Sequence, residues 1–293
     1  MARSASLGVR KTVELPQGMI GYREVGAGPP VVFVHGLLVN ADLWRSVVPT
    51  VAAAGHRCLS PDWPLGSHEI PLRPGADVSP AGVADLIGDF LDALELTDVT
   101  LVGNDSGGAL VQLLMARRPE RIGRVVLTSC DTLERFFPPL FGFLPVGARL
   151  PGSTWLLAQV LRPRLAHRLP ITYGRLSRRP IPGEVMASYL RPVRRDAGVR
   201  RDLRGFLRGV HRRHTLAAAK TFGSFDRPVL LAWAENDRLF PRSLAHRLAG
   251  LLPDARVATV PDSATFIPED RPAALADLIV EFTAAPRAAA PRP

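Results

Sequence analysis

The sequence is poor in cysteine, aromatic residues and lysine, and it lacks any long apolar run. Two cysteines in 293 residues, Cys58 and Cys130, are far apart in apolar stretches, which excludes a disulfide framework and leaves buried free thiols as the expectation. No apolar run approaches the ~18 residues of a membrane helix, so no segment is expected to span a bilayer and no membrane partner is expected. The opening stretch MARSASLGVRKTVELPQG lacks a secretory apolar core, making a cytoplasmic protein the default. Lysine occurs twice against 35 arginines, in a chain rich in alanine and proline. Part of the net charge of +10 therefore looks like coding bias, and no nucleic-acid motif accompanies it. From Arg149 to Arg213 there are 16 arginines and three acids, a basic middle segment for which a solvated helical face is preferred over attraction of an anionic substrate or surface.

What the chain has is 46 % hydrophobic and 22 % charged residues, enough for a large core. Up to Asp131, strand-like runs (MIGYREVG, PVVFVHG, HRCLSPD, DVTLVGND, GRVVLTSCD) alternate with helical patterns at Leu43 to Ala54, Ser79 to Leu94 and SGGALVQLLMARRP. The alternation predicts a mostly parallel sheet flanked by helices. It stops between 132 and 225, where Arg-rich helical patterns (STWLLAQVLRPRLAHRL, GEVMASYLRPVRRD, VRRDLRGFLRGVHRR) are broken by proline and glycine. It resumes with PVLLAWAEND, SLAHRLAGLL, ARVATVPDS and AALADLIVEFTAA. The expected division is a core of residues 1–131 and 226–286, a helical cap over 132–225, and a disordered tail at 287–293.

The segment Leu101-Val102-Gly103-Asn104-Asp105-Ser106-Gly107-Gly108 runs a strand straight into a helix. Such a bend needs small residues two before and two after its apex. Gly103 and Gly107 flank Asp105 at that spacing, whereas Ser106 at the apex would be flanked by the larger Asn104. Upstream, the strand Val31-Val32-Phe33-Val34 ends in His35-Gly36. With this elbow, the His-Gly pair and the helical insertion, the chain resembles the α/β-hydrolase superfamily over nearly its whole length. It is most similar to the branch with an aspartate nucleophile, which includes haloalkane dehalogenases and epoxide hydrolases.

The resemblance implies Asp105 as nucleophile and the backbone N–H groups of Leu37 and Ser106 as an oxyanion hole. It implies Asp237 as supporting acid, with Asp131 as the alternative. The superfamily's histidine position is occupied by Thr265, set by its spacing to Glu269 and Pro272, and all seven histidines lie at or before His246. His68, after a central strand, is the candidate substitute base. His35, Trp63, Tyr173 and Tyr189 are the expected substrate-binding residues, the two tyrosines as a weak sign of epoxide chemistry. The family's halide-binding side chains are replaced by Leu37 and Ser106.

A carboxylate can attack carbon unaided, but hydrolysis of the resulting ester needs a base, worth ~10²–10⁴-fold. The sequence therefore leaves three readings. One is a hydrolase acting on a small, mainly apolar molecule at a C–O or C–halogen bond. The second is a lyase, isomerase or cyclase using Asp105 as general acid or base. The third is a catalytically dead ligand-binding relative. No metal cluster or dinucleotide loop is present in the sequence, so no cofactor is expected. A homodimer is compatible with the sequence but not specified by it.

Overall fold

The computed structural model describes residues 3–285, so the tail expected at 287–293 lies outside the described residues. Eight strands form one sheet: β1 (Val9–Leu15), β2 (Gly18–Val25), β3 (Pro30–Val34), β4 (Arg57–Pro61), β5 (Val99–Asp105), β6 (Ile122–Cys130), β7 (Val229–Ala234) and β8 (Ala255–Val260). Their order is β1-β2-β4-β3-β5-β6-β7-β8. β1 and β2 form an antiparallel hairpin, β2 pairs antiparallel with β4, and the pairings from β4 onward are parallel. This is an α/β-hydrolase fold. β5 and β7 are buried along their whole length, which explains their near-continuous apolar sequences.

Helices cover the sheet. Pro80–Ala93, capped by the Ser79 hydroxyl on the Gly82 N–H, packs on Ser106–Arg117. Val48–Ala53 packs against Pro272–Ala284. The helix expected over Leu43 to Ala54 is instead a 3₁₀ turn, Ala41–Trp44, followed by Val48–Ala53. Pro49 has no N–H to give, so it sits in the first turn of a new helix and not inside an old one. β1 has no counterpart among the strands expected from the sequence. It is an edge strand whose VRKTVEL residues are mostly exposed and lack a clean apolar alternation.

Between β6 and β7 no strand of the sheet occurs among the described residues. The stretch holds the helices Phe143–Gly147, Ser153–Val160, Gly183–Arg195, Ala197–Gly209 and Arg213–Ala219. The single pattern STWLLAQVLRPRLAHRL divides into Ser153–Val160 and the 3₁₀ turn Arg164–Arg168, because Pro163 pushes the residue before it out of helical geometry. Asp196 restarts the chain by accepting from the Gly198 and Val199 N–H groups. Both cysteines are free and buried. Among the described residues no helix is long and apolar enough to cross a membrane.

Candidate active site

β5 passes into the helix Ser106–Arg117 with no linker, and Asp105 stands at the join with φ 54° and ψ −130°. A side chain in that region is strained by roughly 1–3 kcal/mol, so neighbours must hold it there. They do so by close approach. A Cβ on Gly103 would lie 2.8 Å from the Gly108 Cα, and one on Gly107 would overlap the Val34 carbonyl. A Cβ on Gly36 would overlap the Asp105 carboxylate itself. The glycines thus bring the elbow against the loop that follows β3.

The Leu37 N–H donates to Asp105 Oδ2 at 3.3 Å, and the Ser106 backbone N–H also points at the carboxylate. The Ser106 hydroxyl lies 3.5 Å from the same oxygen. Burial pushes the Asp105 titration up to about 6; the two N–H groups oppose this, and the negative charge of Asp237 adds to it. Asp131, directly after β6, is fully buried, and its two carboxyl oxygens lack hydrogen-bond partners. Burial and the nearby Asp105 raise it well above the usual carboxylate range.

Asp237, after β7, is fixed through both oxygens. Oδ1 accepts from the Leu239 and Phe240 N–H groups at 2.8 and 2.9 Å, and Oδ2 accepts from the Thr265 hydroxyl at 3.0 Å. Burial nevertheless raises its titration. Thr265 is itself fully buried, and its carbonyl accepts from Asn104 Nδ2 at 2.7 Å. The Asn104 amide also donates to Thr128 Oγ1 at 2.9 Å, so one side chain ties β5, β6 and the loop after β8 together. Asn104 figured in the sequence only as a flank of the bend. Its role depends on a contact 161 positions away, which no local pattern signals.

Asp105 opens onto a cavity of about 70 Å³. Apolar side chains, among them Leu37, Leu38, Phe137, Phe141 and Leu157, dominate the wall, with Ser106, Thr172 and Tyr173 as its polar members beside Asp105. The Tyr173 hydroxyl donates to the Leu38 carbonyl at 2.7 Å. No histidine lines this cavity. His68 is buried elsewhere, with Nε2 3.1 Å from Asp202 Oδ2. Burial disfavours the Asp202 charge, but His68, the Leu72 N–H and Arg201 hold that carboxyl below its usual range. The pair ties the loop after β4 to the helix Ala197–Gly209.

Three expected substrate contacts also lie outside the cavity wall. His35 is fully buried, its Nε2 accepting from the Trp63 N–H at 2.9 Å while Nδ1 donates to the Gly36 carbonyl at 2.9 Å. Burial drives its titration down to about 4, so the ring stays neutral and braces the loop. The Trp63 indole N–H donates to the Phe33 carbonyl, and its ring packs on Phe90 in the core. Tyr189 donates to Glu269, which also holds Arg45 through two hydrogen bonds of 2.7 Å. These residues shape the framework, and of the two expected tyrosines only Tyr173 meets the cavity. Among the described residues no group of three His, Cys, Asp or Glu side chains is arranged to hold a metal ion.

The sequence pattern described as the alpha/beta hydrolase fold matches residues 29–272. Haloalkane dehalogenase 2 of Mycobacterium bovis is 26 % identical over 279 residues, covering 90 % of this chain and 91 % of that protein. The crystal structure of an ancestral haloalkane dehalogenase superposes with a TM-score of 0.78 at 23 % identity, over 94 % of this chain and 98 % of the other. An epoxide hydrolase gives 0.78 at 19 %, again over 94 % and 98 %. At these identities the structural likeness speaks for the fold. The chain belongs to the α/β-hydrolase family, and within it resembles the haloalkane dehalogenases and epoxide hydrolases.

Proposed function

We propose that the protein attacks a small, mainly apolar molecule at a C–halogen or C–O bond, with Asp105 as nucleophile. The observation that carries this reading is a buried carboxylate at a strained elbow, held through Oδ2 by the Leu37 N–H and facing an apolar cavity. In the first step Asp105 Oδ1 forms a bond to carbon, and the electron pair of the breaking bond leaves with the halide or the epoxide oxygen. Oδ2 becomes the ester carbonyl oxygen, already beside the Leu37 and Ser106 N–H groups. With a titration near 6, most of the carboxyl is ionised at pH 7, so no base is needed for this step.

The second step is water attack on the ester, and it lacks an evident base. Asp237 Oδ2 is occupied by the Thr265 hydroxyl, and a hydroxyl cannot take a proton from water near neutral pH. The ester should therefore accumulate. In this reading residues 132–225 act as a cap, since Leu157 and Tyr173 come from that stretch and complete the wall above Asp105. Incubation with short alkyl bromides and terminal epoxides, followed by intact mass, tests it. A stable adduct absent in Asp105→Asn supports the proposal; an unmodified protein with every electrophile refutes it.

A second reading is favoured by the Asp105 titration near 6, which makes the group a usable acid and base near neutrality. An elimination or isomerisation would then proceed without an ester. Turnover lost in Asp105→Asn, with no adduct at any time, selects this reading.

A further inference from the structure

Among the described residues thirteen large hydrophobic side chains are exposed, and nine of them fall between Phe143 and Ile171. Exposed apolar residues scattered singly are ordinary, but such a concentration marks an interaction surface. Five of the nine also meet in space. Phe143, Leu150, Leu156, Val160 and Ile171 line one apolar groove of about 290 Å³. Phe143, Leu157, Leu161 and Ile171 belong both to this groove and to the wall of the Asp105 cavity, so the two spaces adjoin.

The same stretch carries cations without counter-charge. From Arg135 to Gly183 there are eight arginines and no Asp or Glu. Arg178 and Arg179 face Asp262 at 2.9 and 3.9 Å. Arg149, Arg162, Arg164 and Arg168 are exposed and join no ion pair among the described residues. Arg164 and Arg168 line a cleft of about 400 Å³ that shares Tyr173 with the cavity wall.

We infer that this face docks on an anionic lipid surface, with Trp155, Leu156 and Val160 in the acyl boundary and the unpaired arginines at the headgroup phosphates. Exposed apolar side chains interspersed with arginines are the composition of elements that lie in a bilayer interface without crossing it. The absence of a spanning segment does not bear on such a mode of binding. A second copy of the chain is a poorer occupant, because two such faces would set Arg149, Arg162, Arg164 and Arg168, which join no ion pair among the described residues, against their own like charges. The docked face would deliver membrane-dissolved apolar molecules to Asp105; this delivery rests on the proposed reaction, while the docking does not.

Trp155 makes the docking measurable. It is 54 % exposed, whereas Trp44, Trp63 and Trp233 are fully buried, so quenching by acrylamide reports on Trp155. Vesicles of phosphatidylcholine mixed with phosphatidylglycerol should reduce the quenching to that of Trp155→Phe, and phosphatidylcholine alone or high salt should leave it unchanged. Arg164→Ser with Arg168→Ser should weaken vesicle co-sedimentation about thirtyfold. Leu156→Ser with Val160→Ser should weaken it too, with melting temperatures unchanged in both variants. Asp105→Asn should bind like wild type. Unchanged quenching with the mixed vesicles overturns the inference, as does protection that appears without lipid alongside a doubled mass in sedimentation. An Asp105 adduct without vesicle binding defeats the docking alone, and vesicle binding without any adduct defeats the reaction alone.

Discussion

Replacing Asp105 with asparagine removes a charge that the fold buries at a cost, so the variant should be more stable than wild type at and above neutral pH. Burial lifts the Asp105 titration from 3.8 to about 6. The folded value lies above the unfolded one, so between them the unfolded chain has released a proton that the folded chain still holds. Stability from this group is therefore fully present below about pH 4 and is lost as pH rises through about 6. The displacement is worth about 3 kcal/mol. Asparagine keeps the shape, offers an acceptor to the Leu37 N–H, and tolerates positive φ. With ~2.1 cal/mol/K of unfolding entropy per residue, a chain of this size turns about 3 kcal/mol into a rise of about 5 °C. Thermal melts of both proteins at pH 8, 6 and 5 read it directly. The gap should be widest at pH 8 and about half as large at pH 5. Equal melting temperatures at pH 8, or a gap that does not narrow toward pH 5, would refute the reasoning.

The rate of adduct formation should climb about tenfold per pH unit below 6 and level off above 7, as the Asp105 carboxylate ionises; timed intact-mass spectra follow it, and a flat profile counts against a carboxylate nucleophile. Thr265→His places an imidazole in front of Asp237 and should hasten loss of the adduct by ~10²–10⁴-fold. A folded variant whose adduct persists would show that the missing base is not what halts the reaction. Arg45→Ala strips Glu269, whose side chain is 4 % exposed, of its two-pronged partner and should lower stability by about 3 kcal/mol in urea unfolding. A loss below about 1 kcal/mol would mean that Tyr189 and water satisfy the acid.

The inner parallel strands are legible because burial on both faces writes them as near-continuous apolar runs, and PVVFVHG and DVTLVGND end within two residues of β3 and β5. β1 is not, because its partly charged residues face solvent and take their order from pairing with β2. The glycine spacing around Asp105 was legible for a steric reason, since each glycine answers a close approach of backbone or carboxylate. Cavity walls were harder. Within the helical patterns of residues 132–225, Trp155 and Leu156 are exposed and Phe206 and Leu207 are buried, while Leu157 and Leu161 meet the Asp105 cavity. Phe137, Phe141 and Leu176 meet it from turns and loops, where no periodicity reports which way a side chain faces. Polar partners chosen across the chain, such as His68 with Asp202, leave no trace in local sequence.

Gly36 has one more implication. Because any side chain there would claim the volume of the Asp105 carboxylate, the loop after β3 and that buried acid form a single steric unit. A descendant gene could exchange much of residues 132–225 piecemeal and sample new molecules as it went. It could not enlarge position 36 while retaining a seated acid at 105, so these two codons must be inherited, or abandoned, together.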